Sequence, residues 1–253
     1  MARLNLLTMS RAHYPSLEHK HIFITGGATG IGADMVKQFA QQSRQVTFFD
    51  RDNLAGTALA KTADNIRFIA GDVCDITALQ TAITQAEGNP VDVLISNAAN
   101  DERHTFKDLS PEYWDHALAV NLRPHVFAAQ AAASVMKNSG SIILMGSVSW
   151  MRRRTGMVAY TTSKAGIHGL TRTLAQELGP EGIRVNSIVP GAIQTEKQDR
   201  LVTNPELIQS FLDQQALKFR LQAQDVTAMA LFLAADDSRA CTGQAFIVDA
   251  GIV

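Results

Sequence analysis

Seven short runs of apolar and β-branched residues, each separated from the next by a stretch long enough to cross back over a sheet, constrain this chain more than any single residue does. The runs read HIFIT (21–25), VTFFD (46–50), IRFIAGDV (66–73), VDVLISN (91–97), SIILMGS (141–147), IRVNSIVP (183–190) and AFIVD (245–249). Strands apolar on both faces belong in a parallel sheet covered by helices on both sides. The segments between them, roughly 30–43, 53–62, 75–87, 111–136, 158–178 and 224–234, predict right-handed crossover helices. The expected fold is α/β, a three-layer, doubly wound, parallel seven-stranded sheet in a single domain over 19–253, preceded by an N-terminal extension, 1–18. No repeat, low-complexity tract or linker divides it.

Charge and cysteine usage exclude several functions. Lys plus Arg number 23 and Asp plus Glu 24, so no global field recruits nucleic acid or an anionic membrane. No apolar run approaches the roughly 20 residues that span a bilayer. The extension holds Leu4, Leu6 and Leu7 but turns polar at Ser10, Arg11 and His13, unlike a signal peptide. The two cysteines, Cys74 and Cys241, form no disulfide framework, and the seven histidines show no zinc spacing. A cytoplasmic protein without a metal is expected.

The first strand ends in TGGATGIG (25–32). Glycines at Gly26, Gly30 and Gly32, with Thr29 and Ile31 between and after them, let a pyrophosphate approach the backbone and rest at the positive end of the following helix. The second strand ends at Asp50, about twenty residues on, where a carboxylate accepts the ribose hydroxyls of NAD and repels the extra phosphate of NADP. Arg51 follows and leaves NADP open. Asp72 and Val73 close the third strand, suited to an adenine edge and face, although an Asp there also caps helices. Asn97, Ala98 and Ala99 end the fourth strand with small residues against which a cofactor ribose can lie.

A second group lies between Ser147 and Lys164, in SVSWMRRRTGMVAYTTSK. Tyr160 and Lys164 are four residues apart, hence on one face of a helix. A phenol loses its proton near pH ~10, and a neighbouring cation is the direct means of making it a base nearer neutrality. Taken alone, the pair is a core aromatic beside a solvated lysine.

The glycine turn, the Asn97-Ala98 pair, Asn121, Ser147 thirteen residues before Tyr160, the Tyr160–Lys164 pair and Pro190-Gly191 together resemble the short-chain dehydrogenase/reductase family, over nearly the whole chain after His19. The resemblance implies a Rossmann-like fold and a nicotinamide cofactor. It makes Tyr160 the general base, Lys164 the group that lowers its pKa and holds the nicotinamide ribose, Ser147 the hydrogen-bonding partner of the substrate oxygen, and Asn121 the holder of a relay water. Thr195 and the backbone of Ile193, after Pro190-Gly191, would bind the carboxamide. The C-terminal TGQAFIVDAG resembles the edge through which many members form homotetramers. Ala99 departs from the family, which often has glycine there.

The loop NAANDERH (97–104) and SVSW (147–150) resemble the branch that oxidises aldoses at the anomeric carbon, and imply a small-molecule sugar as partner. Asn100, Arg103 and His104 are candidates for sugar hydroxyls, and Ser149 and Trp150 for the pocket wall, with loop packing the open alternative for each. The triplet Arg152, Arg153 and Arg154 is foreign to a neutral sugar and points to an anionic one, such as sulfoquinovose or a uronic acid. Solvation or subunit contact is the alternative, since three adjacent side chains cannot all face one pocket. A substrate lid is expected over 195–223, where Lys197 or Arg200 could reinforce an anion site. The rival readings are a neutral-aldose dehydrogenase (galactose, xylose, fucose or arabinose), an NAD(P)H-dependent carbonyl or 3-oxoacyl reductase, and a nucleotide-sensing scaffold without catalysis.

Overall fold

A computed structural model describes residues 12–86, 90–136, 139–196 and 205–253. The strands are β1 (His21–Thr25), β2 (Gln45–Asp50), β3 (Ile66–Ala70), β4 (Val93–Ser96), β5 (Gly140–Met145), β6 (Ile183–Pro190) and β7 (Ala245–Val248). They form one sheet in the order β3-β2-β1-β4-β5-β6-β7, every neighbouring pair parallel. The helices are α1 (Gly30–Ala40), α2 (Asn53–Ala60), α3 (Ile76–Thr84), α4 (Pro111–Asn121), α5 (Arg123–Val135), α6 (Val158–Leu178), α7 (Pro205–Gln214) and α8 (Ala223–Ala234).

Because the chain runs outward from β1 through β2 to β3, then returns to β4 on the other side of β1 and runs outward to β7, the connections leaving β1 and β4 part company and open a crevice at their carboxyl ends. Register brings those ends level, Thr25 standing opposite Phe49 of β2 and Ser96 of β4. Two apolar cores fix the sheet between its helical layers. One packs Met35, Val36 and Phe39 of α1 and Val226, Ala230 and Leu231 of α8 against one face; the other packs Leu79, Ile83, Ala128, Ala132 and Ile167 against the other.

Three features differ from the pattern read in the sequence. The helix expected over 111–136 is two helices, broken at Leu122 (φ −131°, ψ −53°). Pro124 has no N–H for the turn before it, and its ring crowds the carbonyl of Val120. Asn121 therefore sits at the end of α4, beside the break. Several strands also stop short of their apolar runs, since Gly71–Val73 and Gly146–Ser147 turn out of the sheet to line the crevice. The last part of the extension packs onto the domain: Leu17 is fully buried in the core, the Tyr14 N–H donates to Gln42 Oε1 at 3.0 Å, and the Asp236 N–H donates to Ser16 Oγ at 3.1 Å. Leu4, Leu6, Leu7, Ser10 and Arg11 lie outside the described residues, as do Lys197 and Arg200 of the expected lid, whose described part includes α7.

Candidate active site

The crevice holds a cavity of about 630 Å³. Its floor is the turn between β1 and α1. Gly26 has φ +67°, and a Cβ there would lie 2.7 Å from Ala98 Cα; a Cβ on Gly32 would lie 1.9 Å from the Gly26 carbonyl oxygen. Only glycine lets the helix start so close to the strand end. Asn97 locks the turn from the neighbouring strand, its Nδ2 donating to the carbonyl oxygens of Gly26 (2.8 Å) and Thr25 (3.2 Å), while Thr25 Oγ1 accepts from the N–H groups of Asn97 and Ala98.

Asp50 and Arg51 stand at the far end. Asp50 is held by two backbone donors, Ala28 N–H on Oδ2 and Asp52 N–H on Oδ1, both at 2.9 Å. Asp72 accepts the Cys74 N–H at 2.9 Å, and the capping of α3 falls to Asp75, so Asp72 lines the cavity rather than caps. Of the eighteen residues that the sequence assigns to the cofactor, Tyr160 among them, all but Gly30 lie on the cavity wall; Gly30 (φ +56°) backs against Thr195. The sequence reading missed Gly71, where a Cβ would lie 2.2 Å from the Phe49 ring, and Asp101, next to the candidate Asn100.

At the other end Ser147, Tyr160 and Lys164 converge, Ser147 leaving β5 and the other two on the first turns of α6. Ser147 and Tyr160 share a hydrogen bond. Lys164 is 2% exposed; its Nζ donates to the Met145 carbonyl at 2.7 Å and stands 5.8 Å from the Tyr160 ring centroid. Asn121, 1% exposed, accepts the Asn100 N–H at 2.8 Å and donates to the Ala117 carbonyl at 3.0 Å, so its side chain pins the loop after β4.

A glycine turn at a helix start, a carboxylate at the end of the second strand and a hydroxyl, phenol and ammonium around one point fit a dinucleotide cofactor with an acid–base site beside it. A family model described as enoyl-(acyl carrier protein) reductase matches residues 26–253. The chain belongs to the short-chain dehydrogenase/reductase family. It is 43% identical over 247 residues to D-xylose 1-dehydrogenase of Caulobacter vibrioides, covering 96% of this chain and 99% of that one. It is 40% identical over 255 residues to a probable galactose dehydrogenase of Rhizobium meliloti, covering 97% and 100%. A short-chain dehydrogenase from Burkholderia cenocepacia, solved in complex with NADP, superposes with a TM-score of 0.86 at 29% identity over 94% of this chain and 99% of its own. Within the family the likeness is to the aldose 1-dehydrogenase branch, and membership carries a nicotinamide cofactor.

The electrostatics of this short-chain dehydrogenase differ from expectation at Tyr160. Burial pushes the phenol up to about 12, the hydrogen bond with Ser147 pulls it down, and the Asp101 charge pushes it further up. Lys164 does not depress it, because burial drags the ammonium itself down to about 7, against the pull of Asp101, and its Nζ is turned to the Met145 carbonyl. In this arrangement the pair is a neutral phenol beside a lysine poised between its two forms.

On the outer wall the proposed sugar ligands divide. Of the proposed sugar ligands, Asn100, Ser147 and Tyr160 line the cavity, while Arg103, His104, Ser149, Trp150, Arg152, Arg153 and Arg154 do not. After Ser147 the chain makes a 3-10 turn (Val148–Trp150) and passes through a left-handed Arg153 (φ 52°). Arg152 donates to Gln214 Oε1 at 2.8 Å, and Arg152 and Arg154 stack on Phe211 with Cζ 5.8 and 5.4 Å from the ring centroid. Both are thus engaged with α7. Burial, then Arg152, then Arg103 lower the Arg154 pKa, so three guanidinium groups crowd together there. Trp150 stands 6.2 Å from the His168 ring, and His104 is tilted against Tyr113 at 4.7 Å. Among the described residues no helix is long and apolar enough to cross a membrane, and no cluster of potential metal ligands occurs.

Proposed function

We propose that this enzyme oxidises an aldopyranose at C1 to the aldonolactone with NAD as acceptor. The observation that carries the reading is the convergence of Ser147, Tyr160 and Lys164 at one end of a cavity whose other end is Asp50. The kinship with D-xylose 1-dehydrogenase and a probable galactose dehydrogenase supports a neutral aldose.

The floor suits the cofactor residue by residue. The Gly26–Gly32 turn and the start of α1 would take the pyrophosphate, Asp50 the ribose hydroxyls, Asp72 and Val73 the adenine, and Ile193 and Thr195 the carboxamide. A nicotinamide dinucleotide bound there supplies a hydride acceptor. The protein's part is to orient and to move one proton. Ser147 Oγ holds the C1 oxygen, Tyr160 takes its hydroxyl proton, Asn100 contacts a ring hydroxyl, and the buried Lys164 favours the phenolate when charged. Because the phenol is held near 12, the base form gains about tenfold per pH unit below that value, and oxidation is expected to quicken as pH rises from neutrality.

A panel of galactose, xylose, fucose, arabinose, glucose, glucuronate and sulfoquinovose, each with NAD and NADP, tests the reading. Absence of turnover with every aldose would refute it. A strong preference for NADPH in the reverse direction would favour a carbonyl or 3-oxoacyl reductase. Sugar oxidation undiminished in Tyr160→Phe would sink the mechanism, and activity absent from the native enzyme would favour a scaffold. A second reading, preference for an anionic sugar, is favoured by the crowding of Arg103, Arg152 and Arg154, none of which forms an ion pair among the described residues. The engagement of two of them with Phe211 and Gln214 supports the neutral sugar instead. Neutral sugars winning outright in the same panel removes the anionic reading. We propose too a homotetramer, supported by separate apolar faces at Leu118, Leu122, Val126 and Phe127 and at Ile247 of the edge strand β7; light scattering tests it.

A further inference from the structure

His125 occupies the first turn of α5, just past the break that follows Asn121. It is 1% exposed, and its backbone N–H donates to the Leu122 carbonyl at 3.1 Å. Neither Nδ1 nor Nε2 has a hydrogen-bond partner among the described residues, and both atoms are buried. A neutral imidazole always presents one N–H and one lone pair, so two bare ring nitrogens leave a donor and an acceptor desolvated together. Buried polar groups in this condition are as a rule met by ordered water.

The surroundings say what that water would serve. The break presses the start of α5 onto α6, where a Cβ on Gly166 would come within 3.3 Å of the Leu122 side chain, two residues from Lys164. The Lys164 charge reaches the ring and, after burial, is the second cause that keeps the imidazole neutral, well below its usual pKa. Among the described residues no other charged group, from α4, α5, α6 or the sheet, shifts it. The Asn121 side chain faces Asn100 and Ala117, its Oδ1 accepting from one and its Nδ2 donating to the other.

We infer that His125 is a positioning residue whose ring nitrogens hold buried water against Lys164, and that the proton of the oxidised hydroxyl leaves the active site through it. The inference rests on the proposed C1 oxidation. Tyr160, a neutral phenol at rest, first gives its own proton to the neutral Lys164 amine, and the phenolate then takes the proton of the hydroxyl; the Lys164 ammonium yields one to water; one ring nitrogen accepts while the other releases its proton to the next water. The ring is neutral before and after, in opposite tautomers, and exchange through the same waters resets it. No oxidant or reductant beyond the hydride acceptor is required.

Two measurements test this. A high-resolution crystal structure of the protein without ligands should show water within hydrogen-bonding distance of at least one His125 ring nitrogen and linked to Lys164; a dry pocket overturns the proposal regardless of activity. In His125→Leu, kcat for aldose oxidation should fall about tenfold, with an altered pH profile, a larger solvent deuterium effect and an unchanged KM for NAD; His125→Gln, which keeps a donor and an acceptor, should recover most of the loss. Wild-type rate, pH profile and isotope effect in His125→Leu overturn it, as does a loss that His125→Gln does not recover. Should His125→Leu not fold, the pH profile and isotope effect of His125→Gln against the wild type, together with the crystallographic water, decide the matter. Failure of the C1 oxidation itself is distinguishable, since no aldose would then be turned over by the native enzyme.

Discussion

The floor of the cleft and its mouth are built on different principles. On the floor, the contacts that set the shape all fall on backbone: Gly32 lies against the Gly26 carbonyl, Gly26 against Ala98, and the Asn97 side chain ties both strand ends together. At the mouth the contacts join side chain tips far apart in sequence, Arg152 to Gln214 across 62 residues and two guanidinium groups to Phe211. Backbone sterics admit one arrangement, whereas exposed polar and cation–π contacts contribute little each and can exchange. The floor is therefore fixed in shape, and the mouth is free to differ.

The strongest way to break the comparison is to fill the floor. Gly32→Val places a side chain where even a Cβ would be 1.9 Å from a backbone oxygen, and nothing flexible can give way. Binding of NAD is expected to fall below detection by calorimetry, with a large drop in Tm; near-native affinity would mean that the turn is not rigid. Tyr160→Phe tests the inner end, with kcat expected to fall on the order of 10²–10⁴-fold and little change in Tm. Asp50→Ala is a smaller perturbation, because it removes one recognition group and leaves the turn intact. The ratio of kcat/KM for NAD over NADP should fall about tenfold or more, as a charge-assisted hydrogen bond to the ribose is lost and repulsion of the 2′-phosphate with it.

This contrast also explains what could be read from the sequence. Strand and helix periodicity, the glycines at 26, 30 and 32 and the acid at Asp50 report local sterics and topology, so the parallel seven-stranded sheet and most of the residues lining the cavity follow from them, while the strand order does not. Ser147, Tyr160 and Lys164 were legible through spacing and family likeness. The break at Leu122 had a signal in Pro124, outweighed in a window of alanines. The placement of Arg152 and Arg154 had none, since their partners Phe211 and Gln214 are brought up by tertiary packing alone. The raised Tyr160 pKa was equally hidden: a pairing of Tyr and Lys one turn apart predicts attraction, while the outcome depends on burial and on Asp101.

Lys164 offers a thermodynamic test on the boundary between the two regions. Its folded-state pKa is depressed to about 7 by burial, far below that of an unfolded lysine. The unfolded chain thus binds one more proton between pH 7 and about 10, and wild-type stability gains up to about 1.4 kcal/mol per pH unit from this group over that window. Below pH 7 both states carry the proton and the burial penalty is complete. Lys164→Met, similar in length and apolar, should be inactive yet more stable than the wild type at pH 6, with the advantage shrinking as pH rises toward 10. A stability difference independent of pH would mean that Lys164 keeps its charge throughout.

The mildest perturbation is at the mouth. Phe211→Leu preserves the apolar volume under α7 but removes the ring on which Arg152 and Arg154 stack, a loss on the order of 0.5–1 kcal/mol per contact at a partly exposed site. Affinity for NAD should be unchanged, because the glycine turn and Asp50 do not touch α7. The KM for the sugar should rise a few-fold, as the released guanidinium groups no longer hold the helix beside Ile193 on the cavity wall. If Phe211→Leu instead lowers KM for glucuronate while raising it for galactose, the freed arginines are reading the anion, and the mouth can be converted to a different substrate class without altering the floor.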